Sequence, residues 1–150
     1  MDLRASQPIG LQLSRTAKVV SRAFDDALAA AGGSLPMWLV MVSLKAERHG
    51  MQRDLASAVG IEGPTLTHHL NRMEAAGLVQ RRRDPENRRV HRVELTAAGE
   101  TEFRRLRHTV IAFDRRLRDG LAAEEIALLG NLLDRLRRNV GAPATAHEVR

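Results

Sequence analysis

MQRDLASAVG (residues 51–60), IEGPTLTHHLNRMEAAG (61–77) and LVQRRRDPENRRVHRVELTAAG (78–99) decide how this chain folds. In succession they read as a short helix, a tight turn, a second helix and an arginine-rich hairpin. Leu55, Ala56 and Val59 give the first helix, about 52–59, an inward side, and Gly60 suits its C-terminal stop. Ile61 plugs the turn. Gly63 is expected as a permissive N-cap and Pro64 at the first helical position. In the second helix Leu66, Leu70, Met73 and Gly77 fall on one side of a 3.6-residue wheel. The opposite side carries His68, Asn71, Arg72 and Ala75, flanked by Thr65 and Thr67. Two helices joined by a glycine-containing turn form a helix-turn-helix, whose second helix can enter a DNA major groove. Short polar and basic side chains on its outward side suit groove reading.

The hairpin that follows reads as a basic wing. Leu78–Arg83 and Val90–Leu95 are the expected strands, although Val90 breaks the alternation that Val93 and Leu95 keep with Arg92 and Glu94. Asp84-Pro85-Glu86-Asn87-Arg88 between them is rich in turn formers, and Thr96 caps the helix beyond. Residues 72–92 hold seven arginines against Glu74, Asp84 and Glu86, so much of the net charge of +6 sits in this stretch. Because strand side chains alternate, Arg81, Arg82 and Arg83 cannot all face one partner. One or two of them are expected on a phosphate backbone and the others in structural roles.

Outward from this stretch the chain is helical. Leu13, Ala17, Val20, Phe24, Leu28 and Ala31 predict a helix over 9–31, ended by Gly32-Gly33. Pro36 opens a second, apolar nearly all round and running to about His49, which marks a central core element. Beyond the wing, Phe103, Leu106, Val110, Phe113 and Leu117 step by three and four, as do Ile126, Leu129, Leu133, Leu136 and Val140. One such stripe is ordinarily intramolecular core. Two in succession exceed what a small winged lobe needs, which favours a helical dimer interface over a monomeric bundle. The expected class is mainly α with a small β-hairpin: one domain over 1–150, with a winged helix-turn-helix lobe at about 35–96. Dimerisation helices are expected at about 9–31 and 97–140, and residues 141–150 read as a disordered tail.

Composition narrows the function classes. The chain has 150 residues, 43% of them hydrophobic and 28% charged, which fits a globular protein. Aromatic residues make up only 3%, which argues against a platform for stacking single-stranded bases. There is no cysteine, so thiolate nucleophiles and disulfides are absent. The six histidines lack ligand spacing, with His68 and His69 expected to point apart, so no metal is expected. No phosphate loop, Ser-His-Asp order or paired acids appear, so neither an enzyme nor a cofactor is expected. With no signal peptide or spanning stretch visible, the expected location is cytoplasmic, nucleoid-associated when DNA-bound.

LASAVGIEGPTLTHHLNRMEAAGLV (55–79), RRRDPENRRVHRVELT (81–96) and Thr96-Ala97-Ala98-Gly99 resemble the MarR family of winged-helix regulators, within it the SlyA-like branch, over essentially residues 9–140. The family's wing pattern, Asp-X-Arg and then a strand ending Leu-Thr, is met by Arg89 and Leu95-Thr96, but Asn87 stands where the family has Asp. The resemblance implies that Asn87 supports Arg89 through an uncharged hydrogen bond. It also implies an obligate homodimer on a pseudo-palindromic operator, repression as the default, and release by a small, often aromatic or acidic, effector. Trp38 reads by default as a core residue. The resemblance places it beside an effector cavity, with Arg15 as a basic position for an anionic ligand.

The candidate DNA-binding residues are Pro64, Thr65, Thr67, His68, Asn71, Arg72, Arg81, Arg83, Arg88 and Arg89. Thr65 and Thr67 sit in the first turn, where hydroxyls and backbone N–H groups meet phosphates. His68 matches a position that is often Arg in the family, whereas His69 lies nearer the buried side. Arg72 suits either a phosphate or a nearby acid. Arg89, at the wing tip, suits a narrow minor groove. The alternative is a winged-helix module for protein or RNA without effector response. The polar and basic outward side of the second helix favours DNA.

Overall fold

The computed structural model describes residues 8–47 and 50–141. Nine elements lie among them: α1 (Ile9–Ala30), α2 (Leu35–Glu47), β1 (Gly50–Met51), α3 (Gln52–Val59), α4 (Gly63–Ala75), β2 (Val79–Arg83), β3 (His91–Leu95), α5 (Ala97–Leu117) and α6 (Ala123–Asn139). Residues 48–49, where α2 was expected to end, and the tail beyond Gly141 lie outside the described residues. No single described helix is long and apolar enough to cross a membrane.

The described residues fall into two compact units, divided after Phe113. The first is built around α2. Its Val40, Met41 and Leu44 are buried, with Leu28 of α1, Leu55 and Val59 of α3, Leu66, Leu70 and Met73 of α4, Val79 and Val93 of the sheet, and Leu106 of α5. Ser34 holds the start of α2, its hydroxyl accepting the Met37 N–H at 3.3 Å. Thr96 caps α5 as expected, accepting the Gly99 N–H at 3.0 Å and donating to the Gly77 carbonyl at 2.5 Å. Gly99 itself is buried, and a Cβ there would run into the Leu78 carbonyl oxygen.

The sheet has three strands, not the two expected, in the order β1-β3-β2 and antiparallel throughout. Gly50 and Met51 pair with Val93 and Arg92. Two residues carry no alternation from which to read a strand, so β1 is visible only through its partner. β3 begins at His91, so Val90, the residue out of phase, lies before the strand.

The two apolar stripes have different fates. On α5, Leu106 is buried, Phe103 and Val110 pack against the core, and Phe113 meets Phe24 with ring centroids 5.0 Å apart. That stripe is largely spent inside the first unit, the ordinary intramolecular role of a single stripe. The second unit carries the end of α5, a turn whose Arg118 pairs back to Asp114 of α5 at 2.8 Å, and α6. Glu125 accepts the Ala122 N–H at 2.8 Å, the return half of a capping box whose other half alanine cannot supply. On α6, Leu128, Leu129, Leu132 and Leu133 are all exposed, as is Val140 just beyond it, a wider apolar side than the heptad positions alone.

Candidate nucleic-acid interface

Gly60 closes α3 in the left-handed region (φ 69°), where a side chain would be strained, and Ile61 follows it into the core. The N-cap of α4 is Glu62, one residue earlier than expected; Gly63 is already helical and Pro64 stays in the first turn. The Leu66 N–H reaches the Glu62 carbonyl at 2.9 Å. Gly77 is not on the buried side of α4, since the helix ends at Ala75 and Gly77 forms the turn beyond it.

Burying Leu66, Leu70 and Met73 rotates Pro64, Thr65, His68, Asn71, Arg72 and Ala75 into solvent. Thr67 differs from its neighbours. It is half-buried, donates to the Gly63 carbonyl at 3.0 Å and accepts from Gln52 Nε2 at 2.9 Å, so its hydroxyl ties α3 to α4. His69 is half-buried, and its ring meets that of His68 edge-on at 5.8 Å rather than pointing away. Among the described residues no cluster of three or more His, Asp or Glu side chains is placed to hold a metal ion.

The register of the wing sorts its arginines. Arg81 lies opposite Val93, on the face that packs towards α4, and Arg82 lies opposite Arg92 on the other face. Arg81 forks onto α4: its Nε and Nη2 donate to Glu74 Oε2 at 3.1 and 2.6 Å, and Nη2 also reaches Asn71 Oδ1 at 2.5 Å. The Arg81 guanidinium holds the Glu74 carboxyl below its ordinary pKa. Arg82 pairs with Glu94 at 2.9 Å, and Glu94 also accepts from Gln80 at 2.6 Å. Arg83, Arg88 and Arg89 are exposed and have no ion pair among the described residues.

Asp84 organises the turn. Its side chain is only 6% exposed; Oδ1 accepts the Glu86 N–H at 2.8 Å and Oδ2 accepts Arg92 Nε at 2.6 Å. Those bonds, that to Arg92 first, hold the carboxyl below its ordinary pKa. In the sequence Asp84 stands out only as one of the turn formers. The signal available was an acid two residues before an N–H in a proline-containing turn, the pattern of an Asx turn. Asn87 does support Arg89 through an uncharged bond, although Asn87 Oδ1 accepts the Arg89 backbone N–H (3.2 Å) and the guanidinium has no partner among the described residues.

The lobe is thus a helix-turn-helix whose second helix shows polar groups outward, followed by a wing with exposed arginines at its tip. Residues 34–91 match the MarR family. The winged helix-turn-helix stretch is the part of the chain that is similar to that family. Solved structures share the chain's fold. A cysteine-to-serine mutant of MarR from E. coli, complexed with operator DNA, is 22% identical over 86% of this chain and 93% of its own, with a TM-score of 0.76. AbsC, a MarR family regulator from Streptomyces coelicolor, is 24% identical over 88% of this chain and 91% of its own, with a TM-score of 0.77. PcaV from the same organism, in complex with its natural ligand, is 23% identical over 90% and 98%, with a TM-score of 0.76.

Away from this face, the positions expected to serve an effector lie apart from the wing. Trp38 is half-buried and stacks on Phe103 at 5.2 Å, with 6° between the planes. Lys45 Nζ lies 5.6 Å from the Phe103 centroid and pairs with Glu100 at 2.9 Å. Arg15 is exposed on α1.

Proposed function

We propose that this chain is a sequence-specific transcriptional regulator of the MarR family, a repressor, that binds a pseudo-palindromic operator as a homodimer. The observation that carries this reading is the sorting of charge at the wing. Arg81 is paired with Glu74, Arg82 with Glu94 and Arg92 with Asp84, while Arg83, Arg88 and Arg89 are left exposed for a polyanion. α4 reads the major groove with Thr65, His68 and Asn71, its first turn and Arg72 meet phosphate, and the wing tip enters the minor groove. Thr67 and Arg81 position this face from behind. That the E. coli mutant MarR was solved with operator DNA supports the reading.

Dimerisation runs through the helices flanking the lobe, with the exposed leucines of α6 meeting their copies in a second chain. Two lobes related by a two-fold axis then match two half-sites. A small aromatic acid acts as effector, bound by Trp38 and Arg15 and weakening DNA binding; PcaV, solved with its natural ligand, supports a ligand-responsive relative. Selection of duplexes from a random pool by the pure protein tests the whole reading. An enriched inverted repeat is the expected result, and enrichment of no sequence refutes it.

A further inference from the structure

We propose that Arg81 makes Asn71 a donor-only reader of the major groove, selecting guanine over adenine at one position of each half-site. This rests on the duplex-DNA reading above and goes beyond it in assigning a base preference. An asparagine on a recognition helix ordinarily reads adenine bidentately, accepting from N6–H with its oxygen and donating to N7 with its amide. That pairing needs a free carboxamide oxygen.

Here the oxygen is taken. Arg81 Nη2 lies 2.5 Å from Asn71 Oδ1, and Glu74 fixes the same guanidinium at 2.6 and 3.1 Å. The arginine cannot swing away without abandoning its carboxylate. Turning the carboxamide over would set NH2 against guanidinium N–H, donor against donor, so the amide orientation is fixed. Any lone pair left on Oδ1 lies against a positive charge that opposes a second N–H. Asn71 is exposed on the same side of α4 as His68 and Arg72, so what it offers a base is its NH2. Guanine presents two acceptors, N7 and O6, and no donor there. Adenine presents one acceptor beside a donor, and cytosine presents a donor. The two N–H groups of Asn71 therefore match guanine and leave the adenine N6–H unmet. Arg81 is the positioning residue and Asn71 the reader.

The test is random-duplex selection with sequencing on the full chain, wild type beside Asn71→Asp and Arg81→Met, each checked for native helix content and cooperative melting. Wild type is expected to prefer guanine at one position per half-site by about five- to hundredfold, the range of a good base contact. Asn71→Asp keeps the partner for Arg81 but turns donor into acceptor, so guanine preference is lost there and cytosine rises. Arg81→Met frees Oδ1, and adenine rises at the same position. If Arg81→Met does not fold, Arg81→Lys, which keeps a cation for Glu74 without the fork to Asn71, is expected to give the same shift. A wild-type motif in which no position responds to Asn71→Asp overturns the proposal, as does adenine at the responsive position. A wild type that enriches nothing refutes the DNA reading itself, a separate and recognisable failure.

Discussion

Arg92 Nε donates to Asp84 Oδ2 across 2.6 Å, joining the third strand to the start of the wing turn. The same carboxylate accepts the Glu86 N–H through its other oxygen, so one buried acid sets both the turn and its attachment to the sheet. This frees the residues at the tip from structural duty. Arg88 and Arg89 stay exposed because the turn does not depend on their side chains.

The pH dependence of stability checks that attachment. Asp84 is held below its ordinary pKa by Arg92 first and the Glu86 N–H next. A carboxyl depressed in the folded state adds stability above its unfolded pKa, about 3.9, and loses it as pH falls through the folded value. Asp84→Asn is therefore expected to melt below wild type at neutral pH, with the gap closing below about pH 4. Melting curves of both proteins across that window decide it. A gap independent of pH means the ion pair contributes nothing.

Two glycine substitutions are expected to move in opposite directions. Gly99→Ala drives a Cβ against the Leu78 carbonyl in the first turn of α5. It is expected to lose about 1–3 kcal/mol, the usual cost of overpacking. Gly130→Ala in α6 meets open space and is expected to gain about 0.5–1 kcal/mol from helix propensity. Urea unfolding of the two variants measures both. Equal effects would remove the contact with Leu78 as the cause.

Self-association is expected to depend on α6. Leu133 is 40% exposed, so Leu133→Glu costs a single chain little folding stability. It is expected to reduce the mass in solution from twice 16.6 kDa to the single chain at low micromolar concentration. Light scattering of wild type and variant reads this. An unaltered dimer places the interface elsewhere.

These expectations trace back to different amounts of sequence information. The helix-turn-helix was legible because Gly60 and Pro64 punctuate it and Leu66, Leu70 and Met73 keep a 3.6 period. The two wing strands were legible to within a residue, because alternation and the DPEN turn bracket them. Gly50–Met51 was not, since two residues hold no period and pair only through Val93 and Arg92. Nor does a heptad say with which surface it packs, and α5 spends most of its stripe on Phe24 and the core around Leu106. At the candidate site, helical period alone put Thr67 outward. Its tie to Gln52 depends on how α3 and α4 cross, which no local pattern encodes. The ion pairs of Arg81 and Arg82 depend on strand register and were open for the same reason.

The salt dependence of operator binding by wild type, Arg89→Ala and Arg82→Ala tests the division of wing arginines most directly. Arg89 has no ion pair among the described residues, whereas Arg82 is 2.9 Å from Glu94. Each lost phosphate contact lowers the slope of log affinity against log salt by about one. Arg89→Ala is expected to show that drop and to weaken operator and random duplex alike, while Arg82→Ala leaves slope and affinity near wild type. A folded Arg89→Ala dimer with unchanged affinity and slope would contradict the placement of the wing on DNA.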